Sequence, residues 1–173
     1  MRKGFTLIEL LISITILSIM MLFLYKSYAS LNHSNSFYKK EVKDIKEEES
    51  LKKVIFLDFS LALSQSTTIL NQDKKEDIIL MQSSHSLHNM HNPYVAYIIK
   101  NHKLYRLESL RPLLYPLSVD SEFSVDSIGE VNSFRVYKSD KKIGDTVPEL
   151  FLVHADFKEK KDILLKIKVL NSK

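Results

Sequence analysis

The sequence predicts an α+β protein in which one long N-terminal helix, membrane-spanning in its first half and amphipathic in its second, packs on a small, mainly antiparallel β-sheet domain. Three observations predict it. An apolar run from Phe5 to Tyr25 opens the chain, a charged segment with helical periodicity follows without glycine or proline, and beyond Ser66 short β-rich runs alternate with polar turns. With 173 residues, 45% hydrophobic and 27% charged, the chain has the composition of an ordinary folded protein and the length of a domain plus an attached element. It contains no cysteine, which excludes disulfides, zinc thiolates and thiol nucleophiles. The net charge of +4 is spread over interleaved basic and acidic residues, so an anionic partner has little electrostatic support.

The apolar run FTLIELLISITILSIMMLFLY has the length a helix needs to cross about 30 Å of hydrocarbon. Its ionisable groups are Glu9 and the interfacial Tyr25. A carboxylate in hydrocarbon is costly and requires a partner or a purpose. The preceding Met1-Arg2-Lys3-Gly4 is too short for the basic region of a secretory signal, and no A-x-A-like site follows the run. Arg2 and Lys3 place the N-terminus in the cytoplasm by the positive-inside tendency, which puts the remainder outside it.

No proline precedes Pro93 and no glycine lies between Gly4 and Gly129, so the helix is expected to continue past the membrane surface to Ser66, with Asn32 to Ser36 as a polar stretch able to fray. Val42, Ile45, Leu51, Ile55, Phe59 and Ala62 follow three-and-four spacing and form the expected sheet-facing stripe. Lys39, Lys40, Lys43 and Lys46 alternate with Glu41, Asp44, Glu47, Glu48 and Glu49 as a solvated helix surface.

Strands are expected at Thr67 to Leu70 and Ile78 to Met81, flanking the turn NQDKKED, then at Tyr94 to Lys100 and Lys103 to Leu107, joined at Asn101-His102 as a tight hairpin. Further strands are expected at Ser133 to Tyr137, Leu150 to His154 and Ile163 to Val169, with Leu165, Ile167 and Val169 on one face. That makes five to seven strands.

The residues Lys3-Gly4-Phe5-Thr6-Leu7-Ile8-Glu9 resemble the processing site of type IV prepilins and type II secretion pseudopilins. The resemblance implies a leader of residues 1–4, a transmembrane helix over 5–25, its amphipathic continuation over 26–66 and a periplasmic β-rich domain over 67–173. It implies cleavage between Gly4 and Phe5 by a prepilin peptidase, N-methylation of Phe5, and a filament-assembly role for Glu9, whose carboxylate would pair with the Phe5 amine of a neighbouring subunit. Glycine at the junction lets a peptidase approach the backbone closely. The β region is similar in order and pattern to J-type minor pseudopilins and W-type minor pilins, through a charged helix ending near Asp58, the VAYIIKNHKLYRLES hairpin, and SFRVYKSD followed by a final strand pair led by Pro148. Implied partners are other minor pseudopilins or pilins, the major subunit, the prepilin peptidase and the inner-membrane assembly platform. Implied placement is the bacterial inner membrane, single-pass, and after assembly the filament tip. A tip-exposed receptor for DNA or a surface ligand, and an uncleaved bitopic membrane protein, are the competing readings.

No nucleotide loop, GxSxG elbow or HExxH motif occurs, so no enzyme and no cofactor are expected. In SSHSLHNMHNP, the imidazoles of His85, His88 and His91, with His102, Met81 and Met90 nearby, are candidate ligands for zinc or copper. The serines and Asn92-Pro93 favour a loop that does not gather them, and no metal is assigned. Asp120, Glu122, Asp126 and Glu130 form an acidic patch on an expected loop without the spacing of a calcium loop. Tyr94, Tyr97, Tyr105, Tyr115 and Tyr137 are able to stack bases, but their alternation with aliphatic residues favours packing over nucleic-acid contact.

Overall fold

The computed structural model describes residues 6–63, 66–71, 74–117, 122–139 and 149–170. The Gly4-Phe5 junction, Asp120 and Pro148 lie outside the described residues. The chain forms two compact units, Met1–Glu47 and Glu48–Lys173.

The fold is α+β. Helix α1 spans Leu7–Ser60, and the polar stretch from Asn32 to Ser36 stays helical, with Ser36 Oγ donating to the His33 carbonyl at 2.8 Å. Expectation had carried the helix to Ser66. It ends at Ser60 because sheet bonding takes over: Leu63 N–H donates to the Gln82 carbonyl at 2.8 Å, Ser84 N–H to the Leu61 carbonyl at 3.0 Å, and Ala62 bridges Ser83.

In the second unit, strands β1 (Thr68–Asn71), β2 (Asp77–Gln82), β3 (Tyr94–Lys100), β4 (Lys103–Ser109), β5 (Ser124–Lys138), β6 (Leu150–Phe157) and β7 (Ile163–Lys168) form one antiparallel sheet in chain order. The sheet curls on itself, for Phe134 N–H in β5 donates to the Lys75 carbonyl at the entrance to β2. Asn101 and His102 both have positive φ, 53° and 59°, the type I′ geometry whose twist suits a two-residue hairpin.

Strand β5 is the largest departure from expectation, which began it at Ser133 and left Asp126 and Glu130 on a loop. Register shifts opposite Leu104/Tyr105 and between Val131 and Ser133 insert extra residues, so Ile128, Val131 and Phe134 are buried ahead of Val136, which resumes the alternation. The spacing of three from Ile128 to Phe134 conceals the period of two that marks a strand. Gly129 sits at the first shift with φ +149°, and a Cβ there would lie 3.3 Å from the Phe157 ring. Gly129→Ala is therefore expected to cost about 1–3 kcal/mol of stability, read as a lower urea midpoint at unchanged slope.

The core gathers Ile55 and Phe59 of α1 with Ile79, Val95, Tyr97, Leu104, Phe134, Phe151, Val153, Ile163, Ile167 and Val169. Phe59 stacks on Tyr97, with centroids 6.1 Å apart, and meets Phe151 edge-on at 5.4 Å. Leu165, Ile167 and Val169 pack on this one core, as expected. The opposite face of β3 and β4 carries a smaller cluster of Ala96, Leu107 and Leu113. Val42 and Ile45, expected on the sheet-facing stripe, belong to the first unit and are exposed. The stripe that reaches the core begins at Leu51 and runs through Ile55, Phe59 and Ala62.

Candidate functional site

Two sites follow from charged residues placed where charge is costly. The first is at the start of α1. Thr6 precedes the helix, and its N–H and hydroxyl both donate to Glu9 Oε2, at 3.0 and 2.9 Å. This is the T-x-x-E half of a capping box, in which an acid in the first turn satisfies an N–H that has no intrahelical acceptor. The signal was legible in Thr6-Leu7-Ile8-Glu9, and the reading that gave Glu9 an intermolecular partner passed over it. One carboxylate oxygen, Oε2, therefore caps the helix. Beyond this cap α1 is long and apolar enough to cross a membrane, and its apolar stretch is exposed. Ser13 and Ser18 return their hydroxyls to carbonyls of their own helix at 2.8 Å, which makes them tolerable in hydrocarbon.

The second site is a buried ionic cluster in the sheet unit, and the sequence reading did not assign it. Asp58, on the last turn of α1, and Arg106 and Glu108, on β4, are all fully buried. The Arg106 guanidinium binds Asp58 in a fork, Nε to Oδ2 at 2.7 Å and Nη2 to Oδ1 at 3.1 Å, and extends Nη1 to Glu108 Oε2 at 2.6 Å. Tyr97 donates its hydroxyl to Asp58 Oδ2 at 2.6 Å. Burial and then the Asp58 charge push the Tyr97 phenol well above its ordinary value, so it stays a donor. Burial alone would raise the Glu108 carboxyl, but hydrogen bonds from Arg106, Ser86 and the Leu87 N–H hold it below its ordinary value.

The loop after β2 closes over this cluster. His85 Nδ1 lies 2.6 Å from Asp58 Oδ1, Ser86 Oγ donates to Glu108, Leu87 N–H donates to Glu108 Oε2 at 3.0 Å, and His88 Nε2 lies 3.0 Å from Asp126 Oδ2. Asp58, His85 and Ser86 do not form a hydrogen-bonded relay, because the Ser86 hydroxyl donates to Glu108 and accepts the Met90 N–H at 2.7 Å.

The candidate metal ligands are dispersed. Asn89 and Asn92 adopt positive φ, 58° and 46°, so the loop lacks the helical repeat that would align His85, His88 and His91. His85 goes to Asp58, His88 to Asp126, and His91 lies 3.3 Å from the Asn92 amide. His102 is in the β3–β4 turn and Met81 is in the main core. His88, Glu108 and Asp126 do converge within 4.8 Å, yet Arg106 Nη1 lies 2.6 Å from Glu108 and 3.5 Å from Asp126. The guanidinium already supplies the positive charge that a cation would bring.

Of the acidic patch, Asp126 and Glu130 lie in β5, where Glu130 pairs with Lys103 and Lys158 at 3.8 and 3.7 Å, while Glu122 precedes the strand. The tyrosines divide between surroundings. Tyr97 is in the main core, Tyr94 and Tyr105 pack on the smaller cluster, and Tyr115 and Tyr137 are exposed.

Neither the curated proteins nor the solved structures contain a match to this chain. Its first 25 residues match the family model of the prokaryotic N-terminal methylation motif, so the apolar helix capped by Thr6 and Glu9 carries a prepilin-type N-terminus.

Proposed function

We propose that this protein is a minor pseudopilin or minor pilin, a non-enzymatic subunit that is inserted in the bacterial inner membrane, cleaved after Gly4, methylated on Phe5 and built into a periplasmic filament near its tip. The observation that carries the reading is the coincidence, within residues 1–25, of the methylation motif with a membrane-length helix that bears its acid in the first turn. In that role α1 holds the subunit in lipid and then in the filament, Glu9 pairs with the Phe5 amine of a neighbour, and the β unit offers surfaces to other minor subunits and the major subunit. The prepilin peptidase and the inner-membrane assembly platform are the processing and assembly partners, with the N-terminus cytoplasmic and the sheet unit periplasmic. Initiating or capping the filament in secretion, pilus or DNA-uptake machinery is the work such a subunit performs.

Gly4→Leu is expected to leave the precursor uncleaved, since a branched side chain blocks the close backbone approach that glycine permits. Unchanged conversion of this variant to the shorter form, followed by gel mobility in cells containing the peptidase, would place the cut elsewhere.

A further inference from the structure

We propose that the segment of α1 from Tyr28 to Ile45 pairs with the same segment of a second copy of this chain, as a parallel, in-register, two-stranded coiled coil. Tyr28, Leu31, Asn35, Tyr38, Val42 and Ile45 recur at alternating intervals of three and four, the repeat of about 3.5 residues that keeps one seam of a helix against a partner helix. The five apolar members are all exposed, as is Asn35. This seam is separate from the stripe of Leu51, Ile55 and Phe59 that enters the core, so folding of the sheet unit does not consume it.

Three features choose the occupant. In heptad positions abcdefg, Tyr28, Asn35 and Val42 take a and Leu31, Tyr38 and Ile45 take d. A single asparagine at a fixes one register, and β-branched Val42 at a with Leu31 at d favours two parallel strands. The flanking positions differ in sign, with Lys39 and Lys46 at e and Glu41 at g. In a parallel in-register pair each g residue faces the e residue five places on in the other helix. Glu41 then meets Lys46 of the second copy, and Glu49 and Lys52, which would take the next a and d positions, end the seam there. An antiparallel pair sets lysine against lysine and glutamate against glutamate. The helix carries its own complement, so the partner is another copy. Continuity with the apolar run from Leu7 to Tyr25 aligns the two copies in a shared bilayer.

The inference does not require cleavage at Gly4, and the test uses the full-length precursor in membranes of cells lacking prepilin peptidase. The natural chain has no cysteine, so single cysteines report unambiguously. Val42→Cys and Ile45→Cys are expected to form disulfide-linked homodimers under mild oxidation, because identical a or d residues face each other only in a parallel in-register pair at Cα separations of about 4.4–6.8 Å. Lys40→Cys, at the outward f position, is expected to give none. On the Val42→Cys background, Glu41→Lys or Lys46→Glu should each lower the cross-linked fraction severalfold. Co-expression of the two charge-reversed chains should restore it as the mixed dimer. Equal cross-linking at position 40, no homodimer at 42 and 45, charge reversal without effect, or capture of a different protein in place of the second copy would overturn the proposal. None of these results bears on processing at Gly4.

Discussion

Replacing Arg106 with methionine is expected to lower the unfolding free energy of the sheet unit by about 3–5 kcal/mol, the cost of leaving buried carboxylates without their counter-charge. Asp58 and Glu108 are fully buried, and Arg106 is the cation that binds both, at 2.7 and 2.6 Å. Tyr97 and His85 add hydrogen-bond partners to Asp58 but no permanent charge. The loss is a property of the broken network. Replacing Asp58, Arg106 and Glu108 together with leucine, methionine and leucine should recover most of it, because no buried charge then remains.

The same cluster predicts acid sensitivity. The folded Glu108 carboxyl is held below its ordinary value. Its contribution is therefore complete above the unfolded value of about 4.3 and fades as pH falls through the lower, folded value. Urea unfolding of the full chain in detergent, followed by tyrosine near-ultraviolet circular dichroism across that range, measures both effects. An Arg106→Met variant as stable as the parent would show that the guanidinium does not hold the helix end to β4.

Glu9→Gln is expected to abolish incorporation into filaments while leaving the start of α1 capped. Glutamine serves at the third helical position of a capping box as glutamate does, so it retains the bonds from the Thr6 N–H and hydroxyl seen at 3.0 and 2.9 Å. It removes only the charge. Glu9→Ala removes both, and that substitution by itself cannot separate a cap from an ion pair. With the amine of a neighbouring Phe5 desolvated in a packed bundle of helices, an uncompensated charge costs several kcal/mol, enough to suppress assembly by more than about a thousandfold. Membrane insertion should be unaffected. Filament yield by shearing, set against the amount of subunit in membranes, measures the outcome, and wild-type yield from Glu9→Gln would remove the intermolecular role and leave Glu9 as a helix cap.

The long helix and the β3–β4 hairpin were legible because nothing competes with their local signals. An apolar run of membrane length has one solution for its backbone polar groups, and Asn101-His102 sits between two β-rich runs, the first with the bounds of β3 and the second, expected to end at Leu107, continuing in β4 to Ser109. Strand β5 was hidden by its two register shifts, which give Ile128, Val131 and Phe134 a spacing that resembles a helix. Val42 and Ile45 were assigned to the wrong stripe because two apolar faces follow one another along α1, and periodicity cannot tell which of them meets the sheet.

The ionic cluster was missed for a different reason. Asp58 stands in VIFLDFSLAL as Glu9 stands in FTLIELLISI, and the question asked of Glu9, why an acid lies in apolar company, applies equally to Asp58. Its answer lies 48 residues away on β4. Arg106 and Glu108, two apart on a strand and so on one face, are the local sign of it. The dispersal of His85, His88 and His91 depends on backbone angles at Asn89 and Asn92 that composition does not encode.

Intact mass with N-terminal sequencing of the protein, recovered from membranes of cells with and without prepilin peptidase, tests the filament-subunit reading most directly. A chain that begins at N-methylated Phe5 when the peptidase is present, and at Met1 when it is absent, is the predicted result. A chain that begins at Met1 in both would contradict it, leaving Glu9 as the helix cap of a plain membrane anchor.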